Sequence, residues 1–189
     1  MMSGHAATNR DRALRAALQI VGDQGIRALT HGRVDSTAGL PAGSTSNHFR
    51  TRAALIHATV DHLASVEQDA FAVGKRPQTV EELVDALVGF IQDAGGPLRQ
   101  LTVARFVFFV EGFHDAQVRD ALARARARIE AWAAQTLEAL GFTYPFAAAR
   151  RILTHVDGTI FQRLTFGDLS DVRNDVEALI RSCEHMTDS

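Results

Sequence analysis

The sequence predicts an all-α protein of about nine helices, because apolar residues recur at the three- and four-residue intervals of a helix. No run alternates with the period of two that a half-buried strand requires. Alanine, leucine, valine and arginine dominate the composition, and only 4 of the 189 residues are prolines, which permits long uninterrupted helices. The pattern divides into an N-terminal three-helix head over residues 9–56 and a C-terminal helical domain over residues 57–189, joined by one long helix.

Charge is distributed unevenly along the chain. The formal net charge is −2, but residues 1–60 carry +4 and the remainder carries −6. A basic N-terminal part and an acidic C-terminal part fit a head that binds nucleic acid and a C-terminal domain that does not. Chance segregation produces the same division, so the asymmetry supports this interpretation without establishing it.

The composition also bears on the compartment. No apolar run approaches the roughly 20 residues needed to cross a bilayer, and the first residues lack the apolar core of a signal peptide. The 1 cysteine, Cys183, excludes an intramolecular disulfide and is typical of a reducing environment. We therefore expect a cytoplasmic protein without a membrane partner.

The first predicted helix runs from Asn9 to Gly25. Asn9 is a suitable N-cap, and Gly25 can end the helix in a left-handed turn. One face of this helix is apolar and comprises Leu14, Ala17, Leu18 and Val21. Three arginines lie off most of that face and are either solvated or available to phosphates: Arg10, Arg12 and Arg15.

The stretch LTHGRVDSTAGLPAGSTSNHFRTRAAL, residues 29–55, predicts two short helices about a tight connection. Thr30 can cap a helix over residues 31–38, and Gly39 can end that helix in the left-handed conformation. A second short helix follows over residues 43–49. Two short helices joined by a glycine-containing turn are the outline of a helix-turn-helix.

The second of these helices is unusually polar, since it presents hydroxyls, an amide and an imidazole. A solvated loop can have the same composition. However, Arg33, Arg50 and Arg52 flank this helix. Cationic side chains suit phosphates, and short polar groups suit base edges in the major groove. The pattern therefore favours a DNA-reading helix.

A helix that ends in glycine, then LT, then V…AGLP.GS….HF and a basic residue before ALI resembles the DNA-binding head of the TetR family of repressors, especially a subgroup found in high-GC actinobacteria. The resemblance covers about residues 9–60. It implies a homodimer on double-stranded operator DNA, with the following DNA-facing positions: His31, Gly32, Arg33, Ala42, Gly43, Ser44, Ser46, Asn47, His48 and Arg52.

The sequence departs from the family pattern at three positions. Asp35 stands where the family commonly has alanine, Ser46 where it usually has an aromatic residue, and Arg52 where it has lysine. An unpaired carboxylate is costly to bury, so Asp35 either packs loosely at this position or pairs with Arg33 or Arg52, and the sequence leaves both alternatives open. Without an aromatic ring at Ser46, Asn47 or His48 would do more of the reading.

A long helix is predicted from Arg52 to about residue 73, with a break at residues 74–77. Further helices follow over residues 79–95, 97–113, 116–140, 145–166 and 169–185. Asp168 or Ser170 is expected to cap the last helix. In the resembled family, the last two helices pair with their symmetry mates, which implies that Phe146–Phe166 and Leu169–His185 form the dimer interface.

The most apolar helix carries Phe106, Phe109 and Phe113 on one face, with Phe108 turned away. Such a stripe is more often core than ligand pocket. The resemblance nevertheless implies a buried ligand site among the middle helices. The implied lining residues are Phe106, Phe109, Glu111, Phe113, Trp132 and Phe161. Glu111 either faces water or contacts the ligand, and a mostly apolar or aromatic effector, which could be cationic, would suit this set.

The predicted function is a DNA-binding transcriptional regulator, in particular a repressor released from a palindromic operator by a small-molecule effector. A regulator controlled by a protein partner, or without a ligand, is the alternative. A small helical enzyme is disfavoured. No His/Glu set has metal-binding spacing, and Ser44 and His48 lack a third group to orient the histidine. We expect no cofactor, no metal and no catalytic residue.

Overall fold

The computed structural model describes residues 8–73, 75–167 and 171–184. Within these residues the chain forms nine α-helices, one short 3-10 helix and no strand, as the sequence predicts. None of the described helices is long and apolar enough to span a bilayer. The helices are α1 (Asn9–Gln24), α2 (His31–Ala38), α3 (Ser44–His48), α4 (Arg52–Val73), α5 (Val80–Gly95), α6 (Arg99–Glu111), α7 (Ala116–Ala139), α8 (Pro145–Phe166) and α9 (Val172–Glu184), with the 3-10 helix at Ile26–Ala28.

The start of α1 differs from the prediction. Thr8 is the N-cap: its hydroxyl accepts from the backbone N–H of Asp11, and the Asp11 carboxylate accepts from the backbone of Thr8. This reciprocal pair is a capping box, and it places Asn9 in the first helical turn. Gly25 does end the helix at a positive φ of 77°, but its ψ of 171° is extended, so the predicted left-handed helical turn is wrong.

The first compact unit comprises the described part of Met1–Glu67 together with Gln100–Ala123. One hydrophobic core runs through this unit. Its members include Leu14, Val21, Val34 and Leu55 from α1, α2 and α4, Leu29 from the connection before α2, and Phe108 and Val118 from α6 and α7. The three-helix head therefore shares its core with α6 and the start of α7. A functional boundary between residues 56 and 57 stays a prediction.

The core-facing residue of α6 is Phe108, which is fully buried. Phe106 and Phe109 are half-buried and meet edge to face at 5.6 Å between ring centroids, whereas Phe113 is 77% exposed. The phenylalanine face chosen from helical spacing is therefore not the face that the core covers. Since all four residues are apolar, spacing groups them without saying which group points inward.

The second compact unit comprises Gln68–Arg99 and the described part of Arg124–Ser189. Here α5 packs against α8 and α9, and α8 also contacts α9. Val172, Val176, Ile180 and Cys183 are buried and form the apolar stripe of α9. At the start of α9, the Asp171 carboxylate accepts a hydrogen bond from the backbone N–H of Asn174 at 3.3 Å. The predicted break at Gly74, the predicted caps Asp168 and Ser170, and the ends Leu169 and His185 lie outside the described residues.

Candidate functional site

The connection between α2 and α3 has the predicted geometry. The Thr30 hydroxyl accepts from the backbone N–H of Arg33 at 3.3 Å, which caps α2. Gly39 ends α2 in the left-handed conformation, with φ 61° and ψ 38°. Leu40, which follows, is buried, so the turn is tied to the core. The two helices form the helix-turn-helix that the sequence predicts.

α3 has only five residues, and its N-cap is Gly43 at φ 87°. A glycine has no side chain with which to cap the helix. Asp35, on α2, fills this role instead: its carboxylate accepts from the backbone N–H groups of Gly43 and Thr45, both at 2.8 Å. One carboxylate oxygen also accepts from the Thr45 hydroxyl at 2.5 Å. We call these three bonds the cross-helix cap.

Of the alternatives that the sequence left open for Asp35, neither loose packing nor pairing with Arg33 or Arg52 is observed, because its partners are Gly43 and Thr45. The carboxylate is 4% exposed, and burial raises its pKa. Hydrogen bonds from Thr45 and Gly43 outweigh burial and hold the pKa of Asp35 below its usual value of 3.8. The carboxylate is thus kept ionised by N–H and O–H donors. A buried carboxylate satisfied in this way does not need a cation.

The arginines around the helix-turn-helix are bonded elsewhere. Arg33 donates to the side chain of Gln24 at 2.7 Å. Arg52 donates to the carbonyl oxygens of Ile26 and Leu29, at 2.6 and 3.3 Å. Arg52 therefore anchors the start of α4 to the 3-10 helix. Any phosphate contact by Arg52 would compete with these bonds.

The remaining predicted DNA-facing residues lie on one segment from α2 to the start of α4, with varied exposure. His31 is half-buried, and its Nε2 lies 2.6 Å from the carbonyl oxygen of Phe49, which accepts the bond. The hydroxyls of Ser44 and Ser46 are half-buried and donate to the carbonyl oxygens of Pro41 and Gly43. The exposed members are Gly32, Arg33, Ala42, Gly43, Asn47, His48 and Arg52.

Sequence reasoning missed the roles of Arg12 and Thr45. Arg12 donates to the carbonyl oxygens of Ala38 and Gly39, at 2.7 and 3.1 Å, so it binds the end of α2 rather than solvent. Thr45 is fully buried, although it sits in a polar run. The one signal in the sequence was Asp35 itself, because a carboxylate beside the buried Val34 needs donors that the fold must supply.

A cavity of about 240 Å³ lies in the second unit, among α5, α7 and α8. Lys75 is the one charged side chain among the described residues that line it. The Arg76 guanidinium lies 6.0 Å from the centroid of the Trp132 ring, which places a second cation beside this aromatic residue. The lining residues are Lys75, Pro77, Leu83, Ala86, Leu87, Phe90, Ile129, Trp132, Ala133, Thr136, Leu137, Ala149, Ile152, Leu153 and Val156.

Of the six predicted ligand residues, Trp132 lines this cavity and the other five do not. Phe106, Phe109, Glu111 and Phe113 lie on or just after α6 in the first unit. Phe161 is 49% exposed on α8. The sequence missed the apolar residues of α5 and α8 that form the walls, because a lining leucine and a core leucine look alike in sequence.

Comparison with known proteins identifies a matching family and a related sequence. Residues 78–183 match the family described as "Tetracyclin repressor-like, C-terminal domain". The HTH-type transcriptional regulator BetI of Rhizobium meliloti (strain 1021) is 31% identical over 119 residues, which are 61% of this chain and 58% of that protein. The match therefore spans little more than half of that relative's length.

Solved structures give the same fold. A transcriptional regulator from Rhodococcus sp. Rha1 superimposes with a TM-score of 0.78 at 15% identity, covering 93% of this chain and 96% of that one. The multidrug binding protein EbrR complexed with proflavin has a TM-score of 0.65 at 26% identity, covering 92% of this chain and 99% of that one.

Proposed function

We propose that this chain, which belongs to the TetR family of transcriptional regulators, is a repressor that binds a palindromic operator as a homodimer and releases it when a small apolar molecule enters the α5–α7–α8 cavity. The observation that carries this proposal is the pairing of an exposed polar surface on α3 with a buried frame beneath it. Such a surface reads base edges only when its scaffold is rigid.

The exposed surface supports DNA reading. Asn47 and His48 project from α3 without burial, and an amide can bind the N6/N7 edge of adenine in the major groove. Arg50, immediately after α3, is exposed and suited to a phosphate. Since Arg52 is bonded to the 3-10 helix, we assign the phosphate contact to Arg50 in preference to Arg52.

The cavity supports a small apolar effector. Its walls are almost entirely aliphatic and aromatic, and the charged lining residue Lys75 lies 3.8 Å from the Glu82 carboxylate. No acidic residue is among the described lining residues, so the cavity walls offer no counter-charge for a cationic ligand. We therefore propose a neutral apolar ligand. EbrR, complexed with proflavin, shows that a related protein takes a small molecule.

Exposed aromatic residues on α8 support the homodimer. Phe146, Phe161 and Phe166 are 65%, 49% and 68% exposed. Contiguous apolar patches are typical of protein interfaces, and these rings would supply apolar area to such a patch. We propose that α8 and α9 form it with a second copy of this chain, which would present two α3 helices to successive major grooves.

The proposal is tested by selecting duplexes from a random pool with the purified chain, then measuring binding by fluorescence anisotropy. We expect enrichment of a palindromic sequence, bound about 1,000-fold or more tightly than a scrambled duplex. The promoter region beside the chain's own gene provides a second target. Absence of any sequence preference would overturn the proposal, and an operator that no apolar ligand releases would leave a constitutive repressor.

The dimer is tested separately by light scattering. Phe161→Glu places a charge on the proposed interface, so we expect monomers at micromolar concentration and loss of operator binding. Gln162→Glu adds the same charge at the neighbouring exposed position of α8. If both variants remain dimeric, this face of α8 is not the interface.

A further inference from the structure

α3 is too short to hold its own orientation. A helix of five residues has too few internal hydrogen bonds to be stable alone, and its glycine N-cap contributes no side-chain bond. Its position must therefore come from contacts with other elements. Two of these contacts are apolar: Leu40 precedes α3, Phe49 follows it, and both are buried. The third is the cross-helix cap from Asp35.

The cross-helix cap constrains α3 more than apolar contacts can. Each oxygen of the Asp35 carboxylate accepts from a different backbone N–H, those of Gly43 and Thr45. Two directional bonds to points two residues apart fix both the position of the helix start and its rotation. The Thr45 hydroxyl donates a further bond to the same carboxylate. This bond holds the Thr45 side of α3 toward the protein interior.

Rotation decides which side chains face outward. An α-helix turns by about 100° per residue, so fixing Thr45 inward sets the directions of Ser46, Asn47 and His48. Asn47 and His48 are then exposed, while Thr45 is fully buried. A small rotation of α3 would move the Asn47 amide away from the position it needs at a base edge.

We propose that Asp35 is a positioning residue for DNA reading: through the cross-helix cap it sets the orientation of α3, and so the sequence preference of Asn47 and its neighbours. This inference rests on the proposed function, since it requires the chain to read DNA. Asp35 itself is buried and does not touch the DNA. It acts through Gly43 and Thr45.

The test compares specificity rather than affinity alone. A duplex is selected with the unaltered chain, and binding to it and to a scrambled duplex is measured at one salt concentration. Asp35→Asn keeps the shape of the side chain but places an amide NH2 against an N–H donor. We expect its preference for the selected duplex to fall by about tenfold or more. Binding to the scrambled duplex should change by less than about threefold, because phosphate contacts carry it.

Thr45 supplies a milder pair of variants. Thr45→Val removes only the hydroxyl bond and keeps both backbone bonds to Asp35, so we expect an intermediate loss of preference. Thr45→Ser keeps the hydroxyl and should stay within about threefold of the unaltered chain. Asp61→Asn removes an exposed carboxylate on α4 and serves as the charge-matched control. Circular dichroism verifies folding in each case.

The outcomes separate this inference from the proposed function. If Asp35→Asn and Thr45→Val fold and keep the preference of the unaltered chain, Asp35 has no positioning role, although the chain reads DNA. If Asp35→Asn does not fold, the contrast between Thr45→Val and Thr45→Ser decides: a loss in the first alone supports the inference, and equal preference overturns it. If the unaltered chain selects no duplex, the proposed function fails, and this inference fails with it.

Discussion

Arg12, on α1, donates a hydrogen bond of 2.7 Å to the carbonyl oxygen of Ala38, at the end of α2. A second bond reaches the carbonyl oxygen of Gly39 at 3.1 Å. The last carbonyl groups of a helix have no partner within the helix, so a guanidinium is well suited to this position. Arg12 therefore joins α1 to the end of α2, and Asp35 joins α2 to the start of α3. Together these two side chains connect the three helices.

Replacement of Arg12 should destabilise the first unit. Arg12→Met keeps much of the aliphatic length of the side chain but leaves the Ala38 and Gly39 carbonyls without this donor. We expect the free energy of unfolding to fall by about 1–2 kcal/mol, measured by urea denaturation. Arg15→Met is the control, because Arg15 is exposed on the same helix. An equal loss in both variants would show that the bonds to α2 contribute nothing measurable.

Two exposed residues should have separable effects on DNA binding. Asn47→Ala should remove sequence preference at one base pair, costing about 1–3 kcal/mol for the selected duplex alone. Arg50→Ala should weaken selected and scrambled duplexes alike. It should also lower the slope of log affinity against log salt by about one for each phosphate that the variant no longer neutralises. Anisotropy titrations at several salt concentrations measure both. The reverse pattern would exchange the roles that we propose for these residues.

Gly22 should tolerate no side chain. It lies on α1 against the start of α6, and a Cβ at this position would overlap the carbonyl oxygen of Gln100. Gly22→Ala should therefore lower the free energy of unfolding by about 1–3 kcal/mol, as overpacking does. Gly32→Ala, on α2, has open space around the added atom and should stabilise by about 0.5–1 kcal/mol. Urea denaturation of both variants measures these changes. If Gly22→Ala also raised the free energy of unfolding, the close approach of Gly22 to Gln100 would be refuted.

Ligand binding can be followed through Trp132, the 1 tryptophan of the chain. N-phenyl-1-naphthylamine, a neutral fluorophore, should quench the Trp132 emission and bind more tightly than proflavin, a cation. Ala133→Phe fills the cavity that Ala133 lines and should lower the fluorophore affinity by about tenfold or more, with operator binding retained. Ala127→Phe adds the same ring at an exposed position of α7. Tighter binding of proflavin would overturn the choice of a neutral ligand.

Stability should depend on pH through Asp35. The pKa of this carboxyl in the folded chain lies below its usual value of 3.8, so the folded state favours the ionised form. Its stabilising contribution is complete above the unfolded pKa and disappears as the pH falls through the folded one. The difference in unfolding free energy between the unaltered chain and Asp35→Asn should be constant from about pH 7 to 5 and shrink below about pH 4. A difference independent of pH down to the acid transition would contradict this.

Local signals in the sequence were sufficient for most of the fold. Thr30 and Gly39 mark the ends of α2 because capping depends on a few neighbouring atoms. The apolar stripe of α9 is recognisable because one face is buried and the other is not. Thr8 was missed as the cap of α1, since Asn9 beside it is an equally suitable residue type. Such one-residue choices depend on the path of the chain before the helix.

The candidate site was less predictable, because its decisive contacts join residues that are distant in sequence. Asp35 meets donors 8 and 10 residues away, and Arg12 meets acceptors 26 and 27 residues away. Charge alone suggested arginine partners for Asp35, whereas backbone N–H groups satisfied it. The cavity of the second unit was not predicted for a related reason: Phe106 and Phe109 are apolar and aromatic, but α6 packs in the other unit.

The participation of α6 and α7 in the first unit has a consequence for how the chain folds. Leu55 and Val60 share a core with Phe108 and Val118, which lie more than about 45 residues later in the sequence. A fragment that ends at Glu67 would leave part of that core exposed to water, at a cost of roughly 25 cal/mol for each Å². We therefore expect the head to be less stable as an isolated fragment than in the whole chain. We expect it to reach its full stability during translation only once residues 100–123, which follow α5, have been synthesised.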